Sequence, residues 1–346
     1  MPTVSVIIPC YKYGHWVTGC VQSLLANREV DLDILVIDDC SPDDSWETVK
    51  RLPELDPRIR VERNEVNRGV VPTCNDAVAA AKGDYVVLIS ADDGAEPGWL
   101  DRAVAHLEAN PDATFAYGPY ALFSDTFPEP DTTTPENVIV YRGHDWLRDR
   151  CADGTGLIAS PEVVVRTSAQ HRVGGFGADM QYSGDMEMWM RLASIGDVIF
   201  AAGPPAAYYR FHTGSMQQSA KRRYIDEVRW WYAAHRAWHR WAEENGEVDE
   251  RDALYATARQ AIAGRALRRA LVAFVENPNS DEIEELCAIA AEIDPAGAAP
   301  RARKLRAASS RPAFRMLARL ARPAARVAFS ASRRAEYRRR TGRRVR

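Results

Sequence analysis

The sequence predicts an α/β protein: a doubly wound sheet over residues 1–218, a helical region over 219–300 and a basic tail over 301–346. Three observations carry this. Val- and Ile-rich runs alternate with helix-spaced segments through the first hundred residues. Polar residues stand at the ends of three of those runs. From about Lys221 onward the apolar spacing is almost entirely helical.

Taken in order, "TVSVIIP" is a strand of the fully buried kind, and "HWVTGCVQSLLA" places Trp16, Val17, Val21, Leu24 and Leu25 at helical spacing. "DLDILVID" is a second strand. "SPDDSWETVKRL" opens a second helix, with Ser41 suited to cap it and Pro42 to its first turn. "IRVERN" is a short third strand, "VPTCNDAVAAAKG" a helix stopped by Gly83, and "YVVLIS" a fourth strand. This alternation implies parallel strands, whose ligands sit at their carboxyl ends. Cys10-Tyr11, Asp38-Asp39 and Asp92-Asp93 all fall there. Residues 119–140 are rich in Pro, Thr and acids and read as a long loop. "GLIASPEVVVRTSAQHRVGGFG" returns to strand, helix and a Gly-Gly turn. "SGDMEMWMRLASIG" is a helix, and "AAYYRFHTGSMQQS" a strand running into a loop.

Within the 346 residues no apolar run approaches the roughly 18 residues that cross a bilayer. The start, "MPTVSVIIP", reads straight into a strand and not as a signal peptide. The six cysteines form no Cys-X-X-Cys pair, which points to reduced thiols and a cytoplasmic setting. The net charge of −3 hides an asymmetry. Residues 301–346 hold 17 Lys and Arg against one acid, Glu336, so the tail carries +16 and residues 1–300 the remaining −19.

"VSVIIPCYKYGHWVTGCVQSLL", "DILVIDDCSPDDSWETV", "NEVNRGVVPTCNDAVAAAKGDYVVLISADDGAEPGWL" and "SGDMEMWMRLASIG" share the order and spacing of one family's motifs. Over about residues 3–215 the chain resembles the family 2 glycosyltransferases. The resemblance implies a GT-A (Rossmann-like) fold with a mixed sheet. It implies inverting transfer of a sugar from a nucleotide diphosphate donor, with Mn²⁺ or Mg²⁺ as cofactor.

The residues suit that chemistry. Adjacent Asp92 and Asp93 would hold a divalent metal and, through it, the diphosphate, since hard oxygen ligands bridge such a cation to phosphate. The family's usual Asp-X-Asp is here Ser90-Ala91-Asp92, without the first aspartate. The resemblance makes His212, in "YRFHTGSM", a further contact to the metal or the diphosphate. Pro9, Tyr11, Asp38, Asp39, Asn67, Arg68, Gly69 and Asp92 are implied for the nucleotide sugar. Asp39 would accept the imide N–H of uracil or thymine, Tyr11 would stack on the base, and Arg68 would reach a phosphate or the base. Cys74 stands where family members often carry arginine, just before Asn75. Asp185 fits the catalytic base, which must sit opposite the leaving group within reach of the acceptor hydroxyl. Many members have Glu-Asp where this chain has Gly184-Asp185, and Glu187 is the second candidate. For each aspartate the plain alternative is a helix cap or a solvated side chain. Trp189 reads as core or as part of the acceptor wall.

Trp230, Trp231, Trp238 and Trp241 cluster on one broad helix face and read as a helical subdomain packing on the catalytic sheet or as a dimer contact, with a membrane-interface belt as the alternative. In the tail, Phe314, Leu317, Leu320 and Val327 among arginines have the pattern of an interfacial amphipathic helix at an anionic inner membrane face. No nucleic-acid motif accompanies it. The expected enzyme uses a UDP-sugar, or a dTDP-sugar, and a glycan, lipid-linked or natural-product acceptor entering over residues 119–160; homo-oligomerisation is left open. Two rivals stand beside it. One is a non-catalytic nucleotide-sugar-binding scaffold. The other is a sugar-phosphate nucleotidyltransferase, which would need a Gly-rich basic loop that "PCYKYGHW" does not supply.

Overall fold

The computed structural model describes residues 1–156, 158–178, 180, 182–212, 223–309, 311–313 and 316. The stretch "TGSMQQS" and nearly all of the arginine-rich tail, including Phe314, Leu317, Leu320 and Val327, lie outside them. The described residues divide into two compact units, one within 1–146 and 158–215, the other within 147–157 and 216–346.

The first unit opens with β1 (Thr3–Cys10), α1 (Gly14–Leu24), β2 (Asp31–Asp38), the short α2 (Ser45–Val49), β3 (Ile59–Arg63), α3 (Val70–Ala80), β4 (Tyr85–Leu88), β5 (Gly94–Ala95) and α4 (Trp99–Ala109). It continues with β6 (Ala113–Tyr117), β7 (Tyr120–Phe123), β8 (Asn137–Tyr141), α5 (Gly143–Asp153), which belongs to the second unit from Leu147 on, β9 (Val163–Arg166), α6 (Thr167–Val173), α7 (Gly184–Ile195), β10 (Asp197–Ala202) and β11 (Ala207–Arg210). The large sheet has eight strands in the order β3-β2-β1-β4-β9-β6-β10-β8. It is parallel except at β9, which runs antiparallel between β4 and β6, and at β8, antiparallel on the β10 edge. A smaller sheet joins β5, β11 and β7. The core forms where Val4, Val6 and Ile8 of β1 and Ile34 and Val36 of β2 meet Val17, Cys20, Val21 and Leu24 of α1. Those four helix positions are spaced i, i+3, i+4, i+7, a single buried face.

Three local expectations change. Residues 119–140 are not one loop: β7 pairs with β11 and β8 with β10, so both ends of the segment are captured by sheet edges. Ser41 does not cap the second helix. Its hydroxyl accepts the Lys12 N–H at 3.0 Å, and that helix starts at Ser45. Residues 147–157, expected with the sheet, pack with the helices, where Arg265 Nη2 meets Asp153 Oδ1 at 2.5 Å and Gly154 lies against Ala261 and Ile262.

In the second unit α8 (Tyr224–Glu244), α9 (Arg251–Glu276), α10 (Glu282–Ile293) and α11 (Ala298–Ser309) enclose their own core. Ile225 and Val228 meet Ile262, Ala266, Leu286 and Ile293 there. Trp238 is fully buried and Trp231 packs on this core, so these two rings serve internal packing. No described helix is long and apolar enough to cross a membrane. All six cysteines are free.

Backbone closeness sets one prediction. A Cβ on Gly143 would stand 2.1 Å from the Ala193 carbonyl oxygen and 2.2 Å from that of Gly196, both main-chain atoms that cannot swing away. Gly143→Ala should therefore destabilise the protein by about 1–3 kcal/mol, the usual cost of overpacking. A urea titration checks this, and an unchanged midpoint would refute it.

Candidate active site

β2, β1 and β4 are adjacent and parallel, so their carboxyl ends open on one edge. Register fixes what stands there. Cys10 is opposite Asp38, and Asp38 is opposite Arg63. Pro9 pairs with Ile37 beyond the last β1–β4 pair at Ile7, where a missing N–H does not interrupt the β4 ladder. Tyr11 follows, 39% exposed, with the Lys12 ammonium 5.2 Å from its ring centroid.

Asp38 is fully buried. Its Oδ2 takes Arg63 Nε at 3.0 Å and the Ser41 N–H at 3.2 Å, while Oδ1 has no hydrogen-bond partner among the described residues. Asp39 organises the loop before α3. Its Oδ1 accepts from Asn64 Nδ2 at 2.7 Å and Arg68 N at 2.9 Å, and its Oδ2 from Gly69 N at 2.8 Å. Gly69 has φ +82, a region that favours glycine, and a Cβ there would meet nothing, so backbone conformation and not space selects it. Asn67 Oδ1 also accepts from Gly69 N, at 3.1 Å. The Arg68 guanidinium turns along α3 to Asp76 at 2.7 Å, an exposed pair of the kind worth little energy. Asn75 spans to the turn before α7: Phe176 N donates to its Oδ1 at 2.7 Å, and its Nδ2 donates to Phe176 O at 2.9 Å.

Asp92 and Asp93 sit in the turn between β4 and β5, only 7% and 3% exposed. β5 pairs with β11, and this pairing brings Arg210 and His212 to them. His212 Nε2 is 3.0 Å from Asp92 Oδ2. Arg210 N donates to Asp93 Oδ1 at 2.9 Å, and Arg210 Nε to the Asp92 carbonyl at 2.9 Å. Its Nη1 donates to the carbonyls of Ser124 at 2.6 Å and Asp125 at 3.0 Å. The guanidinium lies 4.2 Å over Phe123 and 5.2 Å over Trp16. The His212 ring rests against Trp16 and Tyr13, at 4.3 and 5.6 Å between centroids. Burial pushes both carboxyls up, and the Asp92 charge adds to this at Asp93.

Arg210, Trp16 and Tyr13 escaped the sequence reading. Part of the signal was there: "AAYYR" reads as a strand, and Arg210 closes it two residues before His212.

Asp185 lies in the first turn of α7, behind Ser183 as N-cap. Its Oδ1 accepts the Met186 N–H at 2.7 Å, and burial pushes its carboxyl up to about 6. Burial pushes the Tyr209 hydroxyl of β11 up, and the charges of Asp93, Asp92 and Asp185 add to this, which puts the three carboxyls in one neighbourhood. Glu187 is committed elsewhere. It meets Arg191 at 2.8 Å with both side chains buried, and Arg191 Nη2 reaches the Gly175 carbonyl at 2.8 Å, so Glu187 braces the turn before α7. Trp189 is core, 4% exposed against Phe115, with its indole N–H on the Ile158 carbonyl.

Among the described residues no group of three or more His, Cys, Asp and Glu side chains is gathered for a metal. Asp92 and His212 do face one another, and two desolvated, mutually repelling carboxyls are a donor set that a hard cation suits. A bound substrate would have to complete the ligands.

Residues 5–160 match the model of Glycosyl transferase family 2. Over 199 residues the chain is 27% identical to the chondroitin synthase of Pasteurella multocida, a match covering 57% of this chain and 19% of that one. Over 119 residues it is 32% identical to an uncharacterized glycosyltransferase of Haemophilus influenzae, covering 34% and 36%. The chain thus spans well under half the length of these relatives. Among solved structures it is similar to residues 1–349 of S. aureus TarS in complex with UDP-GlcNAc, at TM-score 0.61 and 16% identity, covering 93% and 89% of the two chains. A mannosyltransferase from Pyrobaculum calidifontis, solved with GDP-Man and Mn²⁺, gives TM-score 0.51 at 19% identity, covering 93% and 87%. These two likenesses are of fold, the GT-A arrangement.

Proposed function

The chain belongs, through residues 5–160, to glycosyltransferase family 2, and from that premise we propose an inverting, metal-assisted transfer of a sugar from a UDP-sugar to a hydroxyl of a glycan or lipid-linked acceptor. The observation that carries this reading is the buried Asp92–Asp93 pair, with His212 on Asp92 and the raised Asp185 carboxyl in the same neighbourhood.

Asp39 supports uridine. A carboxylate has about four acceptor positions, and three here already hold N–H groups of the chain. One remains, which suits the single imide N–H of uracil or thymine better than the paired donors of guanine. Tyr11, exposed at the end of β1, supplies a stacking face. A divalent metal held by Asp92, with Asp93 and His212 beside it, would supply Lewis-acid stabilisation to the departing diphosphate. Asp185 takes the acceptor proton as the acceptor oxygen bonds to the anomeric carbon. The bond from that carbon to the phosphate oxygen breaks on the opposite face, and its electrons leave with the nucleotide. Single displacement inverts the centre.

Thermal denaturation with UDP, dTDP and GDP, each with and without Mn²⁺, tests the donor. UDP with Mn²⁺ should stabilise most, by about 2.7 kcal/mol at a hundredfold excess over Kd. A larger shift with GDP would overturn the Asp39 argument, and no shift with any nucleotide would favour the scaffold reading.

A further inference from the structure

One buried acid near the site has no role in the proposed chemistry. Glu162 ends a 3-10 turn, Ser160–Glu162, that leads into β9 and packs against β4, β5 and β11, the strands that carry the Asp92–Asp93 turn and Arg210. It is 2% exposed. Its Oε1 accepts the Ala159 N–H at 3.2 Å, and its Oε2 is buried without a hydrogen-bond partner among the described residues. Buried polar atoms are almost always paired, so an orphaned carboxyl oxygen beside a site calls for a partner. A structural role would ordinarily have closed that bond within the protein, as Arg191 does for Glu187.

Two anionic neighbours say where the partner comes from. The charges of both Asp185 and Asp93 reach Glu162, which burial already drives toward its protonated form. With no cation among the described residues to reach it, this carboxyl is held toward its protonated form. It is a neutral group with one O–H to give and lone pairs to accept. In the reaction proposed above the transferred sugar must lie between these same two groups, because its anomeric carbon links the phosphate oxygen at Asp92–Asp93 to the incoming oxygen at Asp185. Its ring hydroxyls are neutral donor–acceptors of matching chemistry.

We infer that Glu162 is a specificity-determining residue that hydrogen-bonds a ring hydroxyl of the transferred sugar through its free Oε2. The inference rests on the glycosyltransferase reading and adds to it the part of the site that tells one hexose from its epimer. A site that hydrogen-bonds a substrate hydroxyl rejects the analogue lacking it far better than an apolar pocket could, because the protein's own polar group is then left unpaired.

The test is calorimetric binding of UDP and a set of UDP-hexose epimers to the full chain in Mn²⁺, for wild type, Glu162→Gln and Glu162→Ala. Wild type should prefer one epimer by about tenfold or more. Glu162→Ala should bring that ratio to about one. Glu162→Gln, which offers two N–H donors where the carboxyl offers one O–H, should change the ratio about threefold or more. The affinity for UDP itself should stay within about twofold in both. An epimer ratio unchanged in whichever variant folds overturns the inference, and so does a loss of UDP binding equal to the loss of UDP-hexose binding, the mark of a merely structural role. Wild-type protein that binds none of the uridine ligands would instead sink the donor assignment beneath it, and the inference with it.

Discussion

Asp185→Asn should lower the transfer rate by about a thousandfold or more while donor affinity stays within a few-fold. General-base catalysis is worth about 10²–10⁴-fold, and an amide of the same shape cannot take the proton. The wild-type carboxyl must be ionised to act, and burial pushes it up to about 6. So kcat/KM should fall about tenfold per pH unit below that value, and the residual activity of the Asn variant should lack this limb. Stability gives an independent check. The folded carboxyl binds its proton more tightly than the ordinary value of 3.8. Between those two values the folded state holds more protons, so stability falls as pH rises through the window, and the penalty is full above it. The Asn variant escapes the penalty. It should be more stable than wild type at pH 7, by on the order of 1–3 kcal/mol, with little gain at pH 4. Chemical denaturation at both values measures this. Loss of donor binding in the variant, or the same gain at both pH values, would remove Asp185 from the base role.

The parts of this site that are legible in sequence are those fixed by local pattern. Strand β1, with its Val-Ile run, and α1, with apolar residues on one face, predict a sheet edge for Tyr11, Asp39 and Asp93, and the strands these residues follow, β1, β2 and β4, are neighbours in the sheet. The parts not legible depend on partners distant in the chain. Glu187 is a local exception: Arg191, four residues on along the same helix, claims it, and the i, i+4 spacing makes that pair readable. Residues 119–140 look irregular because the polar, Pro-rich "SDTFPEPDTTTPE" separates two strands of only four and five residues, and the pairing of β7 with β11 and β8 with β10 gives those ends regular structure. The antiparallel insertion of β9 is likewise invisible in its "VVVR" run, since strand direction is not encoded in a strand's own composition. Asp39 is the instructive case. Its position at a strand end is readable, yet its grip on the Arg68 and Gly69 amides is made across about thirty residues of chain.

Arg210→Ala should be the most destabilising single change in the site, by about 3–5 kcal/mol, the usual cost of removing one partner from a buried charged network. The side chain is 5% exposed and its donors satisfy the carbonyls of Asp92, Ser124 and Asp125, so truncation orphans three acceptors at once. It also removes the positive charge that opposes the repulsion between Asp92 and Asp93. Arg210→Lys should recover only a minor part, since one ammonium cannot reach the Asp92 carbonyl and the Ser124–Asp125 pair in the forked geometry of a guanidinium. The sign with pH follows from the same repulsion. Asp92 and Asp93 are raised in the folded state, so they favour folding more as pH falls and the pair takes up a proton; acid should narrow the gap between the Ala variant and wild type. Mn²⁺ should narrow it as well if the two carboxyls hold a cation, because the ion then supplies the charge that Arg210 no longer does. Thermal denaturation at pH 5 and pH 7, with and without Mn²⁺, separates these effects. A Tm within about 2 °C of wild type at pH 7 would mean that Arg210 is a passenger in the site. A large loss that acid narrows and Mn²⁺ does not would leave the network as drawn but take the metal away from Asp92 and Asp93.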